Sequence, residues 1–293
     1  MINKLLNEYI DYIEKQIERL YPELQNVGYS EVADASRYSL TLGGKRIRPI
    51  IVLEFCKLLG GKTEDAINFA VALEMIHTYS LIHDDLPCMD NDDMRRGKPS
   101  CHIKFGEDTA LLAGDTLLTE AFGVMAKSKI PSERIVKGVE FLSSLSGLHG
   151  MIGGQVLDLQ FEKSTPSAEQ LIDMYSRKTG GLLIAAATLG CVAAGEFDQK
   201  TLENAKNYAR EVGLAFQIID DILDCTADEK LLGKPVGSDN ENGKTTFVSI
   251  FGIEKSREIA KQYTESAINY LNLFEGDKSN LLALTEYLLK RNY

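Results

Sequence analysis

Carboxylates at helical spacing within apolar sequence are the first groups in this chain that could do chemistry. In Phe216-Gln217-Ile218-Ile219-Asp220-Asp221-Ile222-Leu223-Asp224, Asp220 and Asp224 stand at i and i+4. On a helix they share one face, with Cβ atoms about 5–6 Å apart, and Gln217 precedes them on that face. Like charges so placed repel, and a bare carboxylate in an apolar run is costlier still. A cation is therefore expected there. A hard divalent ion such as Mg²⁺ suits the oxygen donors, because it binds through one or two carboxylates and is completed by phosphates. Taken alone, the motif reads equally well as a solvated acidic stripe.

A second cluster, Leu81-Ile82-His83-Asp84-Asp85-Leu86-Pro87-Cys88-Met89-Asp90, again brings a carboxylate pair out of an apolar helix. Pro87 cannot continue the hydrogen-bond ladder, so Asp90 is expected to fold back from the exit turn. Asp92 and Asp93 read as solvated or loop-capping. His77 lies seven residues before Asp84, close to the same helix face; by itself it reads as a structural histidine. Basic residues are placed around both clusters: Lys45 and Arg48 after Gly43-Gly44, Arg95-Arg96 after the first motif, Lys178 before an apolar stretch, and Lys234 and Lys244 after the second motif. Guanidinium and ammonium groups recognise phosphate. Each basic pair alone reads as surface charge, but in a chain of net charge -11 their placement points to a polyanion between metal and cations. Neither a Walker A loop nor a dinucleotide fingerprint is present.

Helices must carry these groups. Leu5, Tyr9, Ile13 and Ile17 recur every four residues among charged ones, an amphipathic pattern. Further helices are predicted at about 31–42, 49–59, 63–86, 108–127, 132–147, 168–195, 199–225 and 254–291, with an N-cap and acidic first turn at Thr63–Ala66. No convincing strand alternation appears. The polar segments at about 91–107 and 226–246 each follow an aspartate cluster. One core of antiparallel helices is the economical architecture.

The net charge of -11 argues against nucleic-acid or anionic-membrane partners, which need basic surface. Five cysteines, in no CxxC or CxxH spacing, read as reduced thiols of a cytoplasmic protein. The charged opening MINKLLNEYIDYIEKQIERL does not read as a signal peptide. The longest uncharged stretch, Thr179 to Gly195, falls short of the roughly 20 apolar residues that span a bilayer, so no transmembrane segment is expected.

Together these residues resemble the trans-isoprenyl diphosphate synthase family, most closely its bacterial farnesyl diphosphate synthases. The matching runs are GGKRIRP (43–49), IHTYSLIHDDLPCMDNDDMRRG (76–97), GEDTALLAGDTLL (106–118), GGQVLD (153–158), KTGGL (178–182), FQIIDDILD (216–224) and LGKPVGSDNENGKTT (232–246), in order. The resemblance implies an all-α, single-domain bundle of about ten mostly antiparallel helices around a deep central cavity, spanning 1–293. It implies that Asp84, Asp85, Asp90, Asp220, Asp221 and Asp224 hold Mg²⁺, three ions assembled with an allylic diphosphate. Arg95, Lys178, Lys234 and Lys244 would grip that diphosphate. Lys45, Arg48, His77 and Arg96 would bind isopentenyl diphosphate, while Thr179 and Gln217 would turn oxygen dipoles towards an allylic cation. The expected reaction is ionisation of the allylic diphosphate, attack by the isopentenyl double bond, and loss of a proton to the released pyrophosphate. The segments after the two motifs would serve as lids.

In the resembled family a bulky residue at the position of Tyr79 or Ser80 closes the floor of the chain pocket, and an aromatic Tyr79 implies a fifteen-carbon farnesyl product. Helix periodicity puts Ser80 beside the Asp84 face but Tyr79 well round from it. Geranylgeranyl diphosphate synthase is the near alternative. A class I terpene cyclase is disfavoured by the complete second aspartate motif and the Lys45/Arg48/His77 set. A non-catalytic partner subunit is disfavoured because both motifs are kept, and a His-Asp phosphohydrolase because there is no second His-Asp pair. A homodimer is expected from the resemblance.

Overall fold

A computed structural model describes residues 2–21, 27–226 and 245–289. Apart from one short hairpin, the regular elements among them are helices: α1 (Ile2–Leu20), α2 (Ser30–Leu40), α3 (Ile47–Leu58), α4 (Thr63–Asp84), α5 (Cys101–Phe105), α6 (Glu107–Ala126), α7 (Ser132–Ser146), α8 (Met151–Phe161), α9 (Ala168–Lys178), α10 (Gly180–Ala194), α11 (Gln199–Thr226), α12 (Phe247–Phe251), α13 (Ile253–Asn272) and α14 (Ser279–Leu289). The all-α class expected from the sequence is the class found.

Two central helices organise the bundle. Through most of α4 and α10 the side chains are buried all round, as expected of helices apolar on every face. They pack together; α4 lies along α6 and α3, while α10 meets α3, α7 and α11. The approach of α3 to α10 depends on Gly190: a Cβ there would lie 2.5 Å from the Val52 carbonyl oxygen and 2.6 Å from Phe55 Cβ. α11 continues the layer and is covered by α13. Outer helices behave as their periodicity predicts, and Tyr9, Ile13 and Ile17 of α1 are buried.

Several expectations need correction. The helix predicted over 168–195 is broken after Lys178, and the one predicted over 254–291 ends at Asn272 before a turn in which Gly276 takes φ +90°. α8 is an additional helix, masked in the sequence by Gly153-Gly154 near its start. The cap of α4 is Lys62, whose backbone N–H donates to Asp65 Oδ2 (3.1 Å), so Thr63 is already helical. The polar segment after the first motif contains a hairpin, β1 (Met94–Arg95) with β2 (Lys98–Pro99). Its turn places both Arg96 (φ +54°) and Gly97 (φ +75°) in the left-handed region, which two-residue hairpin turns require.

Candidate active site

The end of α4 delivers the first motif. After Asp84 the helix stops, Met89 N–H donates to the Leu86 carbonyl (2.8 Å), and Asp90 N–H returns to the Asp84 carbonyl (2.9 Å). This is the fold-back anticipated from Pro87. Asp84 is half-buried and Asp90 exposed. Burial pushes the Asp84 carboxyl up to about 6; Lys178 opposes this rise, whereas Asp90 and Asp85 add to it. Asp85 is turned the other way: it is 2% exposed and accepts from Arg95 through Nε (3.0 and 3.1 Å) and Nη2. The β1–β2 hairpin aims Arg95 at this carboxylate, and the adjacent strained Arg96 donates Nη1–H to the Gly43 carbonyl.

The second motif lies within uninterrupted α11. Asp220 is half-buried, and Asp221 and Asp224 are buried. Asp221 Oδ2 accepts from Tyr175 Oη–H (2.8 Å) on α9 and from Phe247 N–H (3.0 Å) at the start of α12. Lys234 and Lys244 lie outside the described residues.

Two cavities adjoin between these helices. The smaller, about 190 Å³, is walled by Lys45, Arg48, His77 and Arg96 together with Thr179 and Phe216. The larger, about 540 Å³, runs past Asp84 and Lys178 to Tyr79 and Ser80. Arg48, His77 and Thr179 belong to both walls, so cationic and acidic sites share a partition. Burial and the guanidinium groups of Arg48, Arg96, Arg46 and Arg95 hold the His77 imidazole well below its ordinary pKa. Neutral His77 can therefore accept from Arg48 Nη1 (3.3 Å) through Nε2, a tautomer assigned from this bond. Arg48 Nε is buried without a hydrogen-bond partner among the described residues, a donor that an entering acceptor would satisfy. Thr179 Oγ1–H donates to Gln217 Oε1 (2.9 Å), which leaves the hydroxyl's lone pairs available to the cavity. Lys45 lies 5.4 Å from the centre of the Tyr287 ring.

Sequence reasoning missed three residues that hold this site. Arg46, in the left-handed region at φ +49°, is 2% exposed and pairs with Glu14 (2.6 Å) and Glu74 (2.6 Å) while donating to the Leu40 carbonyl (2.7 Å). Glu74 was detectable in principle, since a lone acid within the apolar run of α4 needs a partner. Asp158, the third, pairs with Lys178 Nζ at 2.5 Å. Helix periodicity puts Tyr79 away from the Asp84 face, yet both line the larger cavity.

A model of the polyprenyl synthetase family matches residues 29–282. The chain belongs to the polyprenyl synthetase family. It is 41% identical over 288 residues to the farnesyl diphosphate synthase of Micrococcus luteus, covering 97% of this chain and 96% of that one. With the geranylgeranyl diphosphate synthase of Cyanophora paradoxa it shares 44% over 285 residues, covering 96% and 92%. The fold is that of the crystal structure of geranylgeranyl pyrophosphate synthetase from Pyrococcus horikoshii, at TM-score 0.89 and 35% identity, covering 99% and 98% of the two chains. The polyprenyl synthetase family uses isopentenyl and allylic diphosphates, and this chain is a trans-prenyltransferase. No helix among the described residues is long and apolar enough to cross a membrane.

Proposed function

We propose that this prenyltransferase is a farnesyl diphosphate synthase, adding isopentenyl diphosphate first to dimethylallyl and then to geranyl diphosphate. The observation that carries the product length is Tyr79. Its ring is 5% exposed, its hydroxyl is buried without a hydrogen-bond partner among the described residues, and it lies on the wall of the same cavity as Asp84. Burial and the charge of Asp84 push the phenol up to about 12, so it stays neutral. A chain growing from a diphosphate at Asp84 would meet this ring.

Residues act in two groups. Lys178 and Arg95 grip the allylic diphosphate, with Lys234 and Lys244 assigned to the same task from the sequence. Asp85 aims Arg95. Lys45, Arg48, His77 and Arg96 take the diphosphate of isopentenyl diphosphate, using the unsatisfied Arg48 Nε and a neutral imidazole able to donate. Thr179, on the partition, presents oxygen lone pairs to positive charge developing at the allylic carbon, and Gln217 orients it. The apolar cavity walls keep water from that carbon. No side chain stands out as base, so the released pyrophosphate takes the proton.

The donor set suits Mg²⁺. All the candidate donors are hard oxygens, and burial with the charges of Asp90 and Asp85 raises the Asp84 carboxyl despite Lys178, so a divalent cation there would favour its charged form. Mg²⁺ ions bind through one or two carboxylates and are completed by substrate phosphates. Asp84, Asp90, Asp220 and Asp224 would hold them, while Asp85 and Asp221 have structural partners. When bound, Mg²⁺ neutralises charge on the departing pyrophosphate. The exposed apolar side chains Leu111 and Leu112 on α6 support a homodimer. A single catalytic unit spanning 1–293 in the cytoplasm completes the reading.

The test is a product assay with isopentenyl diphosphate and dimethylallyl, geranyl or farnesyl diphosphate, followed by dephosphorylation and chromatography. Farnesol is expected from the first two allylic substrates, with farnesyl diphosphate left unextended. Geranylgeraniol as the main product would favour the reading suggested by the Cyanophora relative's name. Tyr79→Ala should then shift the products to longer chains; an unchanged profile removes Tyr79 as the floor.

A further inference from the structure

Lys178 stands at the break between α9 and α10, on the wall of the larger cavity with Asp84. Its ammonium pairs with Asp158 Oδ2 at 2.5 Å, with the two side chains 28% and 13% exposed. Asp158 does not line that cavity. One helical turn earlier on α8, Gly154 touches the backbone of the same lysine. A Cβ at 154 would lie 2.2 Å from Lys178 N and 2.6 Å from Lys178 Cα. Residues at i and i+4 share a helix face, so one face of α8 sets both where the Lys178 backbone runs and where its head group rests.

That arrangement has an electrostatic consequence. Lys178 already acts on the Asp84 carboxyl, and a lysine on a flexible four-carbon stem goes to the strongest accessible partner. Freed from Asp158, its ammonium would turn to Asp84 and occupy the carboxylate that a metal–diphosphate assembly needs.

We infer that Asp158 is a positioning residue of the allylic-diphosphate site, holding Lys178 beside the cavity and off Asp84 until a diphosphate takes the ammonium over. Gly154 supports it by keeping α8 against the Lys178 backbone. The inference rests on the prenyltransferase reading.

Steady-state kinetics with geranyl and isopentenyl diphosphates test it on Asp158→Asn, Asp158→Glu, Lys178→Ala and the double variant Asp158→Asn/Lys178→Ala. Asp158→Asn should raise KM for geranyl diphosphate about tenfold and lower kcat by less, leaving KM for isopentenyl diphosphate within about twofold. Asp158→Glu should recover most of the loss. In the Lys178→Ala background Asp158→Asn should add less than about twofold, because its effect runs through the lysine. Equal costs in both backgrounds, or equal rises in KM for both substrates, overturn the inference. Should Asp158→Asn fail to fold, Gly154→Ala is expected to give the same geranyl-selective loss, and a non-selective loss there is equally decisive against it. A wild-type enzyme without prenyl transfer would overturn the prenyltransferase reading, whereas turnover with non-selective variants removes the role of Asp158 alone.

Discussion

Both aspartate motifs open on an Asp-Asp pair, but the third aspartate follows the first by six residues in one (Asp84, Asp90) and by four in the other (Asp220, Asp224), and the two are built into the fold differently. In each, the second carboxylate is buried and paired: Asp85 with Arg95, Asp221 with Tyr175 Oη and Phe247 N. The partners differ in kind. Asp85 orients Arg95, the guanidinium proposed for the allylic diphosphate, carried on a hairpin with a left-handed turn. Asp221 accepts from two neutral donors and ties α9 and the start of α12 to α11. The first motif therefore couples chemistry to a cation. The second couples it to helix packing.

The largest effects should fall on the outer carboxylates of both motifs. Asp84→Ala and Asp220→Ala are each expected to lower kcat by about a thousandfold or more, with the helical circular dichroism kept. Near-wild-type turnover in either would take that motif out of the metal set and end the parallel. The middle aspartates should separate the motifs. Asp85→Asn loosens Arg95 and is expected to cut kcat/KM for geranyl diphosphate by about ten- to a hundredfold. Asp221→Asn is expected to show mainly as lost stability, about 1–3 kcal/mol for buried hydrogen bonds weakened or left unmade, measured by urea denaturation. If Asp221→Asn damages catalysis as much as Asp85→Asn at unchanged stability, the contrast fails.

A smaller effect concerns protons at the first motif. The Asp84 carboxyl, raised to about 6, keeps its proton to higher pH than an ordinary aspartate, and a metal must displace that proton. The apparent Mg²⁺ affinity, titrated with an unreactive diphosphate analogue, should be flat above neutrality and fall by up to about tenfold per unit below pH 6. An unchanged affinity at pH 5 would show that Asp84 is not the ligand. Smallest is proton uptake in the neighbouring cavity. A diphosphate beside neutral His77 favours the charged imidazolium and raises its pKa. Isopentenyl diphosphate binding near pH 7 should therefore take up a fraction of a proton, seen as a buffer-dependent enthalpy that His77→Gln removes.

Much of this site was legible in sequence for a local reason. Asp220, Asp224 and Gln217 share a helix face by spacing alone, and Pro87 forecasts the turn that brings Asp90 back to Asp84. Lys45, Arg48, His77, Arg96 and Thr179 were marked by residue type and by family resemblance, and the fold places them on one cavity wall. Less legible were α8, whose glycine pair disguises its helical character, and the break after Lys178, which leaves that lysine at a helix junction. The pairing of Arg46 with Glu14 and Glu74 joins residues 32 and 28 positions apart, beyond the reach of any periodicity.

By itself, the sequence determined the all-helical class, the two carboxylate clusters and the basic residues beside them, because hydrophobic period and residue chemistry act within a few residues of chain. Tertiary structure alone decided that Asp84 lines the larger cavity while Asp85 and Asp221 are bound to their scaffold. It also decided that Tyr79 and Asp84 share a wall, and that Asp158 reaches Lys178. Those outcomes depend on how helices distant in sequence cross, and on where a glycine such as Gly154 lets two backbones meet.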